Sequence, residues 1–229
     1  ITVQTCLLET RFISGRRKLV NAFNKAMTNH LDPKAFYRAK LAEIRQRHAR
    51  YQETPYALEP NCKESPGGLR DLQVIRWMAK AAGFGASWAQ IARSGLLTAQ
   101  EASDLRRAES AFKRLRVELH LLAGRREDRL VFDMQHALAN VYGLKATDTR
   151  RASEILMQRY YWAARLVTQL NTLLVQSIQE SLFPVPDDQA RPIDDCFYDL
   201  NGRLDIQDPD LFQKDPPQIL RAFLVMQQN

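Results

Sequence analysis

Three observations predict a mainly α fold. Apolar residues recur by threes and fours over long runs: Leu105, Ala108, Phe112, Leu115, Leu119 and Leu122 in one, Leu156, Tyr160, Ala163, Val167, Leu170, Leu174 and Ile178 in another. That is the period of an amphipathic helix. Helix-end chemistry brackets several runs, with Asp32 before Pro33, Thr98 three residues before Glu101, and Gly124 after the first stripe. Strand-like stretches are confined to Tyr56 to Glu59 and to a pair of short segments near the C-terminus.

The elements follow in order. Thr2 to Phe12 begins with β-branched residues and continues as an apolar helical stripe. Arg17 to Asn29 fits a helix with Leu19, Val20, Phe23 and Met27 on one side. Asp32 and Pro33 start a helix that runs to about Tyr51, with Phe36, Leu41 and Ile44 inward and Thr54-Pro55 as its stop. A short strand carrying Glu59 comes next, then a turn at Pro66-Gly67-Gly68. Leu69 opens a helix to Ala82, and Ser87 caps a short one containing Trp88 and Ile91. Thr98 and Glu101 open a longer helix that Gly124 closes, and Ser153 to Leu182 is the longest. After Phe183, prolines at 184, 186, 192, 209, 216 and 217 break the pattern. Phe197 to Leu200 and Arg203 to Ile206 flank Asn201-Gly202 as a hairpin, and Ile219 to Met226 reads as a last helix.

Composition narrows the function classes. With 45% hydrophobic and 26% charged residues, the 229-residue chain has an ordinary globular balance. No apolar run reaches the roughly 18 residues of a membrane span, and no signal peptide is visible. Cys6, Cys62 and Cys196 are far apart and lack metal-ligand spacing, which fits free thiols in a cytoplasmic protein. The net charge of +7 suits a nucleotide or an acidic partner surface. Aromatics do not interleave with the basic clusters as on a single-strand stacking platform, so nucleic acid is not the expected partner.

The stretch with most chemistry is Leu58 to Asp71, LEPNCKESPGGLRD. It sets a carboxylate, a lysine and two glycines ahead of a helix start, an environment suited to phosphate and metal. Pro-Gly-Gly is equally the chemistry of a plain turn. Glu59 is either a metal-binding, catalytic carboxylate or a surface glutamate at a strand end, and Lys63 is either a phosphate contact or a solvated lysine. Arg70 stands at a helix start against the helix dipole, where it pairs with Asp71 or meets phosphate. Arg125, Arg126 and Arg129 in GRREDRLVFD form either a salt-bridged loop or one facing an anion or partner.

The segment resembles the signature L-E-P-(D/N)-I-K-x-x-P-G-G-L-R-D-(I/L) of the bacterial PII uridylyltransferase/uridylyl-removing enzymes, with Cys62 where that family usually has Ile. TVQTCLLETRFISG (Thr2 to Gly15), RHARY (Arg47 to Tyr51), ELHLLAGRREDRLVFDMQ (Glu118 to Gln135) and RPIDDCF (Arg191 to Phe197) fit the same family in order. The resemblance implies that residues 1–68 are the C-terminal α/β part of a nucleotidyltransferase domain. Residues 69–185 would be the helical bundle domain behind it, and 186–229 a loop-rich linker to a hydrolase domain. It implies UMP transfer from UTP to a tyrosine of the PII nitrogen-signalling protein, with Mg²⁺, and UMP removal by a His-Asp hydrolase domain. Glu59 would then be catalytic and metal-binding, with Lys63, Gly67, Gly68 and Arg70 at the nucleotide.

Nucleotidyl transfer uses metals held by paired carboxylates. No Asp-x-Asp follows a Gly-rich loop, since Asp208 and Asp210 flank a proline in the loop-rich tail. The family carries that core before its T-V-x-T-x-L-L-E segment, so it is expected outside these residues, and the chain alone is expected to be inactive. The four histidines make no His-Asp doublet or zinc motif, and there is no P-loop. A helical interaction module without chemistry is the alternative. A glutamine synthetase adenylyltransferase, with R-L-R-P-x-G-x-x-G, does not match LEPNCKESPGGLRD.

Overall fold

The Asp32 carboxylate accepts hydrogen bonds from the N–H groups of Lys34 (2.9 Å) and Ala35 (3.1 Å), and Pro33 occupies the first helical position. This cap opens α3, Pro33–Arg50. The computed structural model describes residues 2–184, 190–200 and 202–228, and they are mainly helical. Two compact units result, Ile1–Leu182 and Phe183–Asn229.

In the first unit α1 (Thr2–Leu8) and α2 (Arg17–His30) precede α3. They are followed by α4 (Leu69–Ala81), α5 (Trp88–Arg93), α6 (Ala99–Ala123), α7 (Phe132–Val141) and α8 (Ala152–Leu182). α4 is the hub. Leu69, Leu72, Val74, Ile75, Trp77, Met78 and Ala79 are all buried, and the helix packs on α3, α6 and α8. Arg70, Gln73, Arg76 and Lys80 fall on the remaining face, so a wide apolar stripe is turned inward. α6 opens on a complete capping box: Thr98 Oγ1 accepts from the Glu101 N–H (3.2 Å), and Glu101 Oε2 accepts from the Thr98 N–H (2.8 Å). It closes at Gly124, whose φ of 62° is left-handed. Phe112 of α6 meets Tyr160 of α8 edge-on at 5.5 Å, and Leu105, Leu119, Leu138, Leu174 and Ile178 complete a closed core.

α3 ends at Arg50 with Tyr51 as its C-cap, close to the expected end, and Gln52 and Glu53 adopt left-handed φ of 59° and 55° ahead of Thr54-Pro55. One expectation needs correction. Tyr56 to Glu59 is not a strand. Its carbonyls are taken by side chains: the Tyr161 hydroxyl donates to Ala57 O (3.0 Å) and Gln135 Nε2 to Leu58 O (2.8 Å). With those acceptors filled, no ladder partner is required. α7 was not expected. Its ten residues lie in and after the arginine-rich run, and its N-cap, Val131, offers no side-chain acceptor.

The second unit holds β1 (Arg191–Pro192), β2 (Phe197–Asp199), β3 (Leu204–Ile206), α9 (Leu211–Lys214) and α10 (Gln218–Gln228). β2 and β3 pair antiparallel as expected, Phe197 opposite Ile206; Asn201 of the expected turn lies outside the described residues. β1 adds an edge, Pro192 opposite Tyr198, where a proline is tolerated. Phe197 is fully buried, with the Arg221 guanidinium over its ring and bonded to Asp194 (2.8 Å).

Candidate functional site

Residues 58–71 form a folded strap on the first unit. On one side the strap meets the segment after α6. Cys62 N–H donates to Asp128 O (2.8 Å), Leu130 N–H donates to Pro60 O (2.8 Å), and Asn61 bridges Arg129. On the other side it folds back as a tight turn. Asn61 Oδ1 accepts from the N–H groups of Lys63 (3.0 Å) and Glu64 (2.8 Å), a side-chain-closed turn.

The two glycines serve different needs. Gly67 has φ +73°, and a Cβ there would stand 2.2 Å from Ala164 O of α8. Gly68 has an ordinary φ of −82°, but a Cβ would stand 2.8 Å from Ser65 O. The amides around them are spent within the turn. Gly67 N–H donates to Asp71 Oδ2 (2.7 Å), and the N–H groups of Gly68, Leu69, Arg70 and Asp71 donate to the carbonyls of Ser65, Cys62, Lys63 and Gly68. The start of α4 therefore presents no open row of donors to an anion, unlike a phosphate-binding loop.

Asp71 is the buried hub of this turn, with no exposed surface. Besides Gly67 it accepts from Arg47 Nη2, and His48 Nε2 lies 2.9 and 3.1 Å from its two oxygens. Burial would raise its carboxyl pKa; the His48 hydrogen bond and the Arg47 charge outweigh burial and hold it below the usual range. Arg47 Nη1 also donates to Glu64 O (3.0 Å), while its Nε is buried without a hydrogen-bond partner. Arg70 does not pair with Asp71 as the sequence suggested. It bonds Gln73 (2.9 Å) and Glu64 (3.3 Å) and lies over the Trp77 ring. Lys63 Nζ stands 3.4 Å from the same Glu64, so two cations share one carboxylate.

A second histidine–carboxylate pair stands beside the strap. Asp128 accepts from Arg116 Nε (2.6 Å) and lies 3.1 Å from His120 Nε2. Burial pushes its pKa up, but the Arg116 and His120 hydrogen bonds with the Arg116 and Lys63 charges bring it below normal. Neither pair was legible as a sequence doublet: His48 and Asp71 come from separate motifs, and His120 and Asp128 stand eight residues apart within one motif, on either side of the end of α6. Cys62 is completely buried, and burial followed by the Asp128 charge pushes its thiol up to about 12. It stays neutral and fills the Ile position as a small apolar side chain.

Glu59 stands at the outer end of the strap. Its carboxylate accepts from Arg129 Nη2 (3.0 Å) and from the Phe132 N–H at the start of α7 (3.1 Å). It thus supplies from afar the cap that Val131 lacks. Arg125 pairs with Glu127 (2.7 Å), and Arg126 is exposed. Among the described residues no three His, Cys, Asp or Glu side chains gather closely enough to hold a metal. Glu59 offers one carboxylate, already holding Arg129, so these residues do not by themselves fit Mg²⁺.

Residues 35–175 match the family model described as GlnD PII-uridylyltransferase. The chain belongs to the GlnD PII-uridylyltransferase family. The match takes in RHARY, the strap and the segment after α6, the pieces that converge on Asp71 and Asp128. Residues 197–229 match the model of the uridylyltransferase GlnD third domain. Relatives named bifunctional uridylyltransferase/uridylyl-removing enzyme align over all 229 residues. Those of Bordetella avium, Bordetella pertussis and Ralstonia nicotianae are 67%, 66% and 52% identical. The chain spans 26–27% of the length of these GlnD relatives. No solved structure matches. No helix among the described residues is long and apolar enough to cross a membrane.

Proposed function

We propose that this chain is the helical middle of a cytoplasmic enzyme that transfers UMP from UTP to a tyrosine of the PII signalling protein and removes it through another domain. The observation that carries this reading is the strap, where RHARY, LEPNCKESPGGLRD and the segment after α6 meet through Arg47–Asp71, His48–Asp71 and the Cys62–Asp128 bond. Residues 1–68 belong to the transferase side, 69–185 to the helical domain, and 186–229 lead toward the hydrolase. Lys63 and Arg70 are the phosphate contacts: both cations stand beside the turn, on the shared Glu64 carboxylate. Side chains then do what the spent amides cannot. Gly67 and Gly68 let the strap close on α8 and α4, Glu59 faces the transfer reaction, and Arg125, Arg126 and Arg129 line a loop open to an anion or partner. Mg²⁺ belongs to the whole enzyme, with the carboxylates that hold it supplied mainly by the transferase core.

The test uses UTP labelled at the α-phosphate. The full-length protein is expected to label PII in the presence of Mg²⁺, and the 229-residue chain alone to label nothing. Labelling by the isolated chain would overturn the placement of the core outside it. A full-length protein that labels no PII would overturn the activity.

A further inference from the structure

A cavity of about 310 Å³ lies between α6 and α8 and the segments flanking α7, on residues for which the proposed uridylyl transfer has no use. We infer that it is a binding site for a small amphipathic anion: an aromatic or branched aliphatic body carrying one carboxylate. Its size is at the lower end of the range for small-molecule pockets, and its walls are apolar, with Phe112, Leu115, Leu156 and Met157 among them. Such a surface receives a hydrophobic body and discriminates poorly without polar anchors.

The anchors are present. Tyr160 lines the cavity and is only 4% exposed, yet its hydroxyl has no hydrogen-bond partner. Buried hydroxyls are nearly always satisfied, so an orphan beside a cavity is the mark of a missing partner. Burial, then the neighbouring Cys62, Tyr161 and Asp71, pushes the Tyr160 pKa up, so the phenol remains a donor. Arg114 and Arg159 also line the cavity. Both are exposed, and neither makes an ion pair with a carboxylate among the described residues. Arg114 instead lies over the Tyr142 ring at 5.0 Å, which holds its guanidinium at the rim. Apolar walls, an unsatisfied donor and two guanidinium groups without carboxylates fit an organic acid with its body inside and its charge at the rim.

The experiment titrates the full-length protein with 2-naphthoate and with 2-naphthamide, the second having the same body without the charge, using ligand-detected NMR and calorimetry. Saturable binding is expected, with the carboxylate tighter by at least about tenfold. Arg114→Gln and Arg159→Gln, both on exposed side chains, are expected to abolish that difference while leaving the amide unchanged. Tyr160→Phe weakens naphthoate binding. Ala163→Leu, which fills the cavity, removes binding of both probes with the melting temperature checked for each variant. Absence of saturable binding, or equal affinity for the two probes, overturns the inference. So does displacement of naphthoate by UTP, which would make the cavity part of the nucleotide site. Binding by the 229-residue chain but not the full-length protein also overturns it, because the cavity would then be a seat for another segment.

Discussion

Asp71 shows how one residue can organise a motif and still look ordinary in sequence. At the first turn of α4 it suits the helix dipole, and nothing local marks it further. Its partners lie 23 and 24 residues back, in RHARY, and the turn it closes is its own. Asp71→Asn leaves Arg47 buried beside a neutral amide, so a loss of about 3–5 kcal/mol is expected in urea unfolding of the full-length protein. The pH dependence follows from the lowered pKa. Stability contributed by Asp71 is fully present above the unfolded value of about 4 and is lost as pH falls through the lower folded value. The gap between wild type and Asp71→Asn should therefore be constant near neutrality and narrow on acidification below about pH 4. A gap that stays constant to the acid limit would remove Asp71 as the titrating hub.

Elements that carry their own ends were legible. α6 was bounded from Thr98, Glu101 and Gly124 alone, and α3 from Asp32 and Pro33, because the groups that cap them are local. α7 was not, since its cap is Glu59, 73 residues away. The supposed strand at Tyr56 to Glu59 failed for the converse reason: Tyr161 and Gln135 satisfy its backbone from helices that a sequence window cannot see. Pro66-Gly67-Gly68 was legible as a turn, but sequence could not say which glycine is left-handed or that α8 passes against it. The fitted position is Gly67. Gly67→Ala combines left-handed strain with a clash against Ala164 O, expected to cost about 2–5 kcal/mol. Gly124→Ala, at φ +62° with open space around it, should cost only about 1–2 kcal/mol. Paired thermal and urea melts give the comparison; equal losses would mean that the approach of α8 to the turn carries no energy.

At the scale of the whole molecule, the strap ties the end of α3 to α4, α8 and the segment after α6, and Glu59 is where structural and chemical roles separate. Its partner Arg129 is 61% exposed at the side chain, and exposed ion pairs contribute about 0–1 kcal/mol. The carboxylate is therefore held in place without being locked to that partner. In the full-length protein, Glu59→Gln keeps the shape of the side chain and its acceptor for the Phe132 N–H, and removes the charge. On the proposed function, UMP transfer is expected to fall by at least about tenfold, with UMP removal retained if that chemistry belongs to another domain as proposed. Arg129→Gln removes the ion pair but leaves the carboxylate, and should cost transfer no more than about fivefold. If the two variants lose transfer equally, Glu59 acts only as a strut for Arg129 and α7. If Glu59→Gln transfers at the wild-type rate, the strap is a joint without a part in the reaction. Lys63→Ala and Arg70→Ala give the complementary reading through UTP dependence. Each is expected to weaken UTP use by about 1–3 kcal/mol if its charge meets phosphate. Arg70→Ala should also lower the melting temperature, since it uncovers Trp77, whereas Lys63→Ala should not. Wild-type UTP dependence in both would assign these cations to holding Glu64 alone.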